Sequence, residues 1–266
     1  MQLPCYEIYA IKYAERKNVR RPENFVGGDP HDGPMPMDYF LWVVRNPERL
    51  IVVDTGFDAH VAAKRKRTLV REPRDGLAAL GINTEDVREV IITHMHNDHV
   101  GTFFEFPNAQ FHIQDDEMAY ATGRYMGNAA LSRPYEVDHV VGVVRLVFKN
   151  QVTFHKGDEE IAPGISVHHI GGHTAGLQSV RVHTQRGWMM LASDAAHYYE
   201  NIESRRCFPT VYNLGQMADG YEKINRLADS PRHIIPGHDP LVLERYPAAS
   251  PALAGAIARL DVEPRN

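Results

Sequence analysis

Cysteine is scarce in this chain, and so are the other features that would assign it to a specialised class of protein. Only Cys5 and Cys207 occur among its 266 residues, too few for a disulfide framework. We therefore expect a reducing, cytoplasmic environment, in which reactive side chains serve metal binding or catalysis. No window approaches the apolar length needed to span a bilayer, so we expect no membrane partner. The N-terminal residues also lack the apolar segment of a signal peptide.

Positive charge is not in excess either. Lysine and arginine number 29 against 34 aspartate and glutamate residues, a formal net charge of −5 with neutral histidines. This balance gives no electrostatic reason to expect nucleic acid as a partner. The local exception is the basic run at residues 64–67, within the helix-like segment "HVAAKRKRTLVRE". We interpret that run as a solvated helix face, with contact to a polyanion as the alternative.

The remaining composition is that of an ordinary globular protein with 43% hydrophobic residues. Strand-like runs such as "YFLWVVR", "GISVHHI" and "GWMMLASD" alternate with helix-like segments such as "LGQMADGYEKINRLADS", and no flexible linker divides them. We predict one α/β domain over residues 1–266, built from packed layers of sheet and helix. It would contain a long N-terminal loop at about residues 20–37 and an irregular insertion at about 122–150. We place the insertion near the functional site or in an oligomer contact.

Two further strands are predicted at the ends of this domain. "YEIYAIKYA" alternates well enough for an edge strand, and "RHIIPGHD" reads as the last strand of the chain. The apolar runs "YFLWVVR" and "RLIVVDTGF", joined by "NPE", predict a hairpin.

Histidine is the compositional exception, with 15 residues, and metal-seeking side chains are concentrated in "IITHMHNDHVG". In an extended segment His94 and His96 share a face, whereas Asp98 and His99 can turn towards a second point nearby. One loop could thus serve two metal ions. A catalytic zinc takes about three protein ligands, so further ligands must come from elsewhere.

Candidates follow three predicted strands downstream. His173 lies in "IGGHTAG", Asp194 ends the apolar run "LASD", and His238 follows "IIPG". Loops at strand ends are the places where a rigid scaffold positions functional groups. The sequence therefore offers three more ligands for the same centre.

The ordered set H-x-H-x-D-H, G-H-T, S-D and P-G-H-D, preceded by "VVDTG", closely resembles the metallo-β-lactamase superfamily over roughly residues 50–239. The resemblance implies a four-layer αββα sandwich with the metal site at the edge of the β-sandwich. It also implies two Zn²⁺ ions per chain, with manganese, iron or cobalt as alternatives because the same ligands suit several metals. By similarity, His94, His96 and His173 hold the first ion, Asp98, His99 and His238 hold the second, and Asp194 bridges them. Asp54, in "VVDTG", would orient a ligand histidine.

Within the superfamily the chain is most similar to the N-acyl homoserine lactonases, in its length, its bridging aspartate and its loop-rich N-terminal segment. This similarity implies a small-molecule substrate and a lactone ring, such as that of N-acyl homoserine lactones, opened by a metal-bridging hydroxide. Quorum quenching would be the biological consequence. Asp98 would shuttle the proton to the leaving group.

One departure from the lactonase pattern concerns substrate contact. Those enzymes commonly carry a tyrosine three residues after the bridging aspartate, where this chain has His197, followed by Tyr198 and Tyr199. We predict catalytic contact from His197 or Tyr198, with Tyr199 and simple packing as the alternatives.

Other functions stay open at this point. A fold hosts many substrates, so a metallohydrolase of another ester, amide or phosphoester is the alternative function, and a non-catalytic metal-binding relative is a third. By analogy, the insertion at 122–150 suggests a homodimer. The apolar side chains after the N-terminal loop are assigned to core packing, with a wall for an acyl chain as the alternative: Met35, Met37, Tyr39 and Phe40.

Overall fold

The structure, a computed structural model, describes residues 3–265. The strands in this part of the chain are β1 (Glu7–Arg16), β2 (Met37–Arg45), β3 (Leu50–Val53), β4 (Thr68–Leu69), β5 (Glu89–Ile91), β6 (Gln110–Gln114), β7 (Val152–His155), β8 (Glu159–Ala162), β9 (Ile165–His169), β10 (Gln178–Thr184), β11 (Gly187–Ser193), β12 (Ile234–Pro236) and β13 (Ile257–Arg259). The α-helices are α1 (Ala59–Arg65), α2 (Pro73–Ala78), α3 (Asn97–Val100), α4 (Asp115–Ala121), α5 (Ala129–Ser132), α6 (Val137–Phe148), α7 (Tyr199–Glu203), α8 (Leu214–Leu227) and α9 (Leu241–Arg245). None of these helices combines the length and the apolar character needed to cross a membrane.

The strands form two sheets. The first has the order β13-β1-β2-β3-β5-β6-β7, with β4 also paired to β1, and the second has the order β12-β11-β10-β9-β8. Strands β3, β5, β6 and β7 run parallel to one another, as do β11 and β12. The predicted hairpin is confirmed, because β2 pairs antiparallel with β3 and Trp42 lies opposite Val53.

Three apolar cores hold four layers together. Strand β1 shows why: Ile8 and Ala10 enter the core between the sheets, whereas Tyr9 and Ile11 enter the core under the helices, as the two-residue repeat of a strand requires. Leu77 of α2, Tyr120 of α4 and Val143 of α6 complete that outer core. On the far side, Tyr221 and Ile224 of α8 pack against Met190 and Ala192 of β11. The αββα sandwich predicted for the chain is thereby confirmed.

Two strand predictions were wrong. Strand β1 pairs with both β2 and β13, so it lies inside the sheet and is not an edge strand. Strand β13 also follows β12, so "RHIIPGHD" is not the last strand. Because β13 spans only three residues, Ile257–Arg259, it is too short to show a readable alternation.

Two further predictions, one of a helix and one of an irregular segment, were also wrong. Helix α1 ends at Arg65, and Lys66 adopts a left-handed φ of 54°, so the helix does not continue through "TLVRE". The insertion at 122–150 is more regular than expected, because it contains the twelve-residue helix α6, whose buried face carries Val140, Val143 and Leu146. That spacing of three residues is typical of an amphipathic helix.

The carboxyl ends of five strands meet at one edge of the sandwich. Strands β3 and β5 are parallel neighbours in the first sheet. Strands β9 and β11 are both antiparallel to β10, and β12 is parallel to β11. The loops that leave these five strands therefore lie side by side, and they carry Asp54, residues 94–99, His173, Asp194 and His238.

Candidate metal centre

The first predicted ligand group forms a buried cluster. His94 Nε2 lies 3.0 Å from His96 Nδ1, and His173 Nε2 lies 2.9 Å from the same nitrogen. Asp194 completes the group, with its Oδ2 atom 3.1 Å from His173 Nε2 and 3.8 Å from His94 Nε2. The four ligand atoms lie within 4.8 Å of one another, a spacing that one ion can fill.

The second predicted group lies on the other side of Asp194. His99 Nε2 and His238 Nε2 lie 3.2 Å and 3.0 Å from Asp194 Oδ1. Asp98 Oδ2 lies 3.7 Å from His99 Nε2 and 3.9 Å from His238 Nε2. Asp194 thus presents one carboxylate oxygen to each group, the arrangement that a bridging ligand requires.

Four of the imidazoles have a partner on Nδ1 and point Nε2 into the cluster. The partners are the Thr93 hydroxyl for His94 at 3.2 Å, the Asp54 carboxylate for His99 at 2.7 Å, the Thr210 carbonyl for His173 at 2.6 Å and the Asp38 carbonyl for His238 at 2.8 Å. Acceptors of this kind place the ring proton on Nδ1 and leave the Nε2 lone pair for a metal. The orientation of the rings is therefore fixed by the fold.

The electrostatics of the cluster fit divalent cations. Burial, with His99 and other histidines nearby, holds the pKa of His94 and His96 well below its usual value, so both present lone pairs. Burial would lower the pKa of His99 as well, yet carboxylates led by Asp194 raise it well above the usual value. His99 Nε2 nevertheless makes no hydrogen bond within the described chain. A buried nitrogen without a hydrogen-bond partner is the kind of atom that an ordered water or an ion satisfies, and this mixture of nitrogen and oxygen donors suits zinc among several metals.

Asp54 lies directly behind His99, one of the predicted ligands. This buried residue has a φ of 61° at the end of β3, and its carboxylate accepts hydrogen bonds from the Thr93 amide at 2.7 Å, the Thr93 hydroxyl at 2.8 Å and His99 Nδ1 at 2.7 Å. All three donors belong to residues 93–99, the loop that carries four of the predicted ligands. One carboxylate therefore fixes both the start of the loop and the ring of a predicted ligand.

Asp54→Asn is expected to weaken metal binding about 10- to 100-fold at the site that contains His99, the usual cost of losing a carboxylate behind a ligand histidine. The asparagine amide would turn its NH₂ group towards one of the three donors, so one of the three hydrogen bonds would be lost. Competition with a chromophoric chelator measures the affinity, and Asp86→Asn, an exposed position, is the matched control. Equal affinity in the two variants would contradict the supporting role.

A buried carboxylate that the sequence did not single out connects two ligand loops. Glu117 Oε1 accepts hydrogen bonds from the Met95 amide at 2.8 Å and the Tyr135 hydroxyl at 3.0 Å. Its Oε2 accepts from the Thr174 hydroxyl at 2.5 Å and the Gly176 amide at 3.2 Å. Met95 lies between two predicted ligands and Thr174 follows another, so Glu117 sets the distance between the two loops.

Of the predicted substrate-contact residues, His197 reaches the cluster. Its Nε2 lies 3.0 Å from Asp194 Oδ2, and its ring stacks on Phe208 at a centroid distance of 3.7 Å. Burial lowers its pKa to about 4, so the imidazole is neutral and can donate Nε2–H to Asp194. His197, Asp194 and His238 also form a set with metal-ligand spacing.

Tyr198 and Tyr199 point elsewhere. The Tyr198 hydroxyl lies 3.3 Å from the carbonyl oxygens of Met35 and Pro36, to which it donates. Tyr199 packs in the core between the sheets, beneath the guanidinium of Arg245 at 3.9 Å. The geometry thus assigns Tyr198 to holding the end of the N-terminal loop, in place of the catalytic contact predicted for it.

A cleft of about 750 Å³ opens above the cluster. Of the apolar side chains considered for its wall, Met37 and Tyr39 line it, whereas Phe40 lies in the core between the sheets and Met35 packs on the outer core. The Tyr39 ring meets the His238 imidazole edge-on at 5.1 Å. A second cavity of about 470 Å³ is also lined by His96 and His173. Its other lining residues include Tyr120, Leu131 and Val211.

Comparison with known proteins gives a consistent result. The family model described as the metallo-beta-lactamase superfamily matches residues 37–246. A probable metallo-hydrolase of Mycobacterium tuberculosis is 26% identical over 234 residues, covering 74% of this chain and 73% of that protein. The N-acyl homoserine lactonase AiiB of Agrobacterium fabrum is 29% identical over 174 residues, covering 61% of this chain and 60% of that protein.

Solved structures agree on the fold. The crystal structure of a quorum-quenching N-acyl homoserine lactone lactonase superimposes with a TM-score of 0.75 at 20% identity, covering 90% of this chain and 94% of that one. The family match spans most of the chain and includes the motifs that form the cluster. The chain therefore belongs to the metallo-β-lactamase superfamily, as a metal-dependent hydrolase.

Proposed function

We propose that this hydrolase is a lactonase, which opens lactone rings such as those of N-acyl homoserine lactones at a two-metal centre. The observation that carries the proposal is the position of Asp194, whose two oxygens face two separate groups of imidazole and carboxylate ligands. The proposed ligands of the first ion are His94, His96 and His173, and those of the second are Asp98, His99 and His238, with Asp194 shared. The lactonases among the relatives support the choice of substrate.

Different residues of the chain would have different roles in the proposed reaction. Bound divalent ions would supply an ionised water and a Lewis acid for the carbonyl oxygen. The backbone carbonyl of Asp98 accepts a hydrogen bond from the Tyr13 hydroxyl at 2.7 Å. The Asp98 side chain is 16% exposed and lines the cleft. From there the Asp98 carboxylate can accept the water proton and deliver it to the leaving alkoxide oxygen. His197 and Phe208 close the floor of the cleft on the opposite side of Asp194.

A second candidate is hydrolysis of another ester, amide or phosphoester at the same centre. It is favoured by His197, which occupies the position of the lactonase tyrosine and turns towards Asp194. The two candidates share the metal chemistry and differ in the substrate.

Purified protein tests both the centre and the substrate. We expect about two metal ions per chain by plasma mass spectrometry, and proton release from lactones in a pH-drop assay that includes aryl esters, β-lactams and phosphotriesters. Chelation should abolish turnover, and Zn²⁺, Mn²⁺ or Co²⁺ should restore it. Fewer than about one ion per chain would refute the dinuclear centre. Turnover of another class without any lactone would refute the lactonase.

A further inference from the structure

Basic side chains surround the mouth of the cleft above the cluster. They come from β1, from the end of α1 and from the 122–150 segment: Arg16, Lys64, Arg65, Lys66, Arg67 and Arg133. Outside the proposed metal ligands, Glu23 is the carboxylate on the same lining. This local excess of positive charge occurs in a chain whose formal net charge is −5, so it is a property of the cleft and not of the surface as a whole.

Part of this charge is neutralised by neighbouring carboxylates. Lys64 and Arg65 both pair with Glu136, at 2.5 Å and 2.8 Å, and Arg16 lies 3.3 Å from Glu23. Three cations of the cleft have no carboxylate within 4.0 Å among residues 3–265, namely Lys66, Arg67 and Arg133.

Arg67 is held close to the proposed metal ligands. Its Nη1 donates to the Arg65 carbonyl at 2.9 Å, and its guanidinium carbon lies 5.9 Å from the centre of the Tyr39 ring. The Tyr39 ring in turn contacts His238. Arg67 is therefore separated from a predicted ligand by one aromatic ring.

The backbone at Arg133 is hydrogen-bonded to Arg65, and the next residue to the loop of residues 94–99. The Arg65 guanidinium donates to the Arg133 carbonyl at 2.5 Å. The next carbonyl, that of Pro134, accepts from the amide and the side chain of Asn97 at 2.9 Å and 2.7 Å. Asn97 lies between His96 and Asp98, so the backbone next to Arg133 is anchored to the loop of residues 94–99.

The dipole of helix α1 explains only part of the basic run at residues 64–67. Lys64 and Arg65 lie in the last turn of α1, where positive charge stabilises the negative end of the helix dipole. Arg67 lies beyond the helix, and Arg133 belongs to a different segment, so the dipole explains neither. What Arg67, Arg133 and Lys66 share is the cleft.

We infer that the substrate carries an anionic oxygen group, a carboxylate or a phosphate, which binds Lys66, Arg67 and Arg133 while the scissile bond lies over the metal cluster. This inference rests on the proposed hydrolase function and specifies its substrate class. Guanidinium groups match the geometry of both oxyanions, and a cationic cleft accelerates the approach of an anion. A lactone or other ester whose acyl chain carries such a group would bind these cations while its ring or ester bond lies at the proposed centre.

Matched esters test the inference on the metal-loaded enzyme. The pair is 4-nitrophenyl hydrogen adipate and 4-nitrophenyl hexanoate, which share chain length and leaving group and differ in the terminal carboxylate. A third ester, with a terminal phosphonate, separates a carboxylate preference from a phosphate preference. We expect kcat/KM for the anionic esters to exceed that for the hexanoate about tenfold or more, the worth of one charged hydrogen bond. High salt should reduce this ratio by screening the attraction.

Substitutions test which side chains cause the preference for anionic esters. Arg67→Gln and Arg133→Gln should each lower the anionic-to-neutral ratio of kcat/KM about tenfold. Arg226→Gln removes an exposed arginine of α8 outside the cleft lining and should leave the ratio unchanged. Arg133 is exposed, so its variant keeps the test available if Arg67→Gln folds poorly.

The results separate this inference from the proposed function. Equal kcat/KM for the adipate and the hexanoate, or a ratio that survives in both variants, overturns the inference and leaves the hydrolase proposal standing. If no ester or lactone is hydrolysed, the proposed function fails. Calorimetric binding of the corresponding 4-nitroanilides then decides: tighter binding of the acid than of the neutral amide supports the inference, and equal binding overturns it.

Discussion

Asp194→Ala is expected to lower kcat/KM about a thousandfold or more and to leave at most one metal ion per chain. A carboxylate that only supports a ligand histidine contributes 10- to 100-fold, and Asp194 contacts both ligand groups directly through its two oxygens. Burial would raise the pKa of Asp194, but the facing His197 and His238 hold it well below the usual value. Its removal therefore deletes the anion around which five histidines are arranged. Steady-state kinetics and metal analysis of the same preparation measure both effects.

The control for this variant is Asp219→Ala, an exposed aspartate on α8, which should retain both ions and full activity. Asp194→Asn keeps the size of the side chain and removes its charge, so it should bind metal better than the alanine variant and less well than the parent. A fully active Asp194→Ala protein would refute the bridging role.

Glu117→Ala is expected to destabilise the fold by at least about 4 kcal/mol, because each of four buried donors that lose their acceptor costs about 1–3 kcal/mol. The donors are the amides of Met95 and Gly176 and the hydroxyls of Thr174 and Tyr135. Activity should fall as well, although Glu117 is not a proposed ligand, because both loops that it joins carry ligands. Urea denaturation followed by circular dichroism gives the free energy of unfolding.

Two companions make this result specific. Asp115→Ala, at an exposed position of the same helix α4, should change the free energy of unfolding by less than about 0.5 kcal/mol. Glu117→Gln retains one acceptor oxygen, and its stability should fall between those of the parent and the alanine variant. A Glu117→Ala protein as stable as Asp115→Ala would show that the loops hold without this carboxylate.

The residues of the buried cluster, the proposed metal ligands, could be picked out from the sequence because their pattern is local. Each short motif follows an apolar run, and a strand that ends in such a motif brings its side chains to the edge of a sheet. The fold supplied the edge: β3, β5, β9, β11 and β12 all end there. The family resemblance then gave the layers, which the three cores confirm.

The surroundings of the ligands could not be predicted, because they depend on contacts between distant segments. Glu117 lies in the acidic start "DDEMAYA" of a helix, which resembles a solvated face, yet its four donors come from residues 95 to 176. The run at 64–67 reads as one helix face, but Lys66 turns left-handed and directs the chain towards the cleft. Adjacent residues such as His197 and Tyr198 differ in role because only the fold determines which of them faces Asp194.

The distribution of the proposed ligands over the two sheets has a consequence for the stability of the whole molecule. Residues 94–99 leave the first sheet, whereas His173, Asp194 and His238 leave the second. Ions bound between them would act as a cross-link that the unfolded chain lacks. A ligand that binds the folded state alone stabilises it by about 2.7 kcal/mol at a hundredfold excess over its dissociation constant. Metal supply would then govern how long the protein survives proteolysis as well as how fast it turns over substrate.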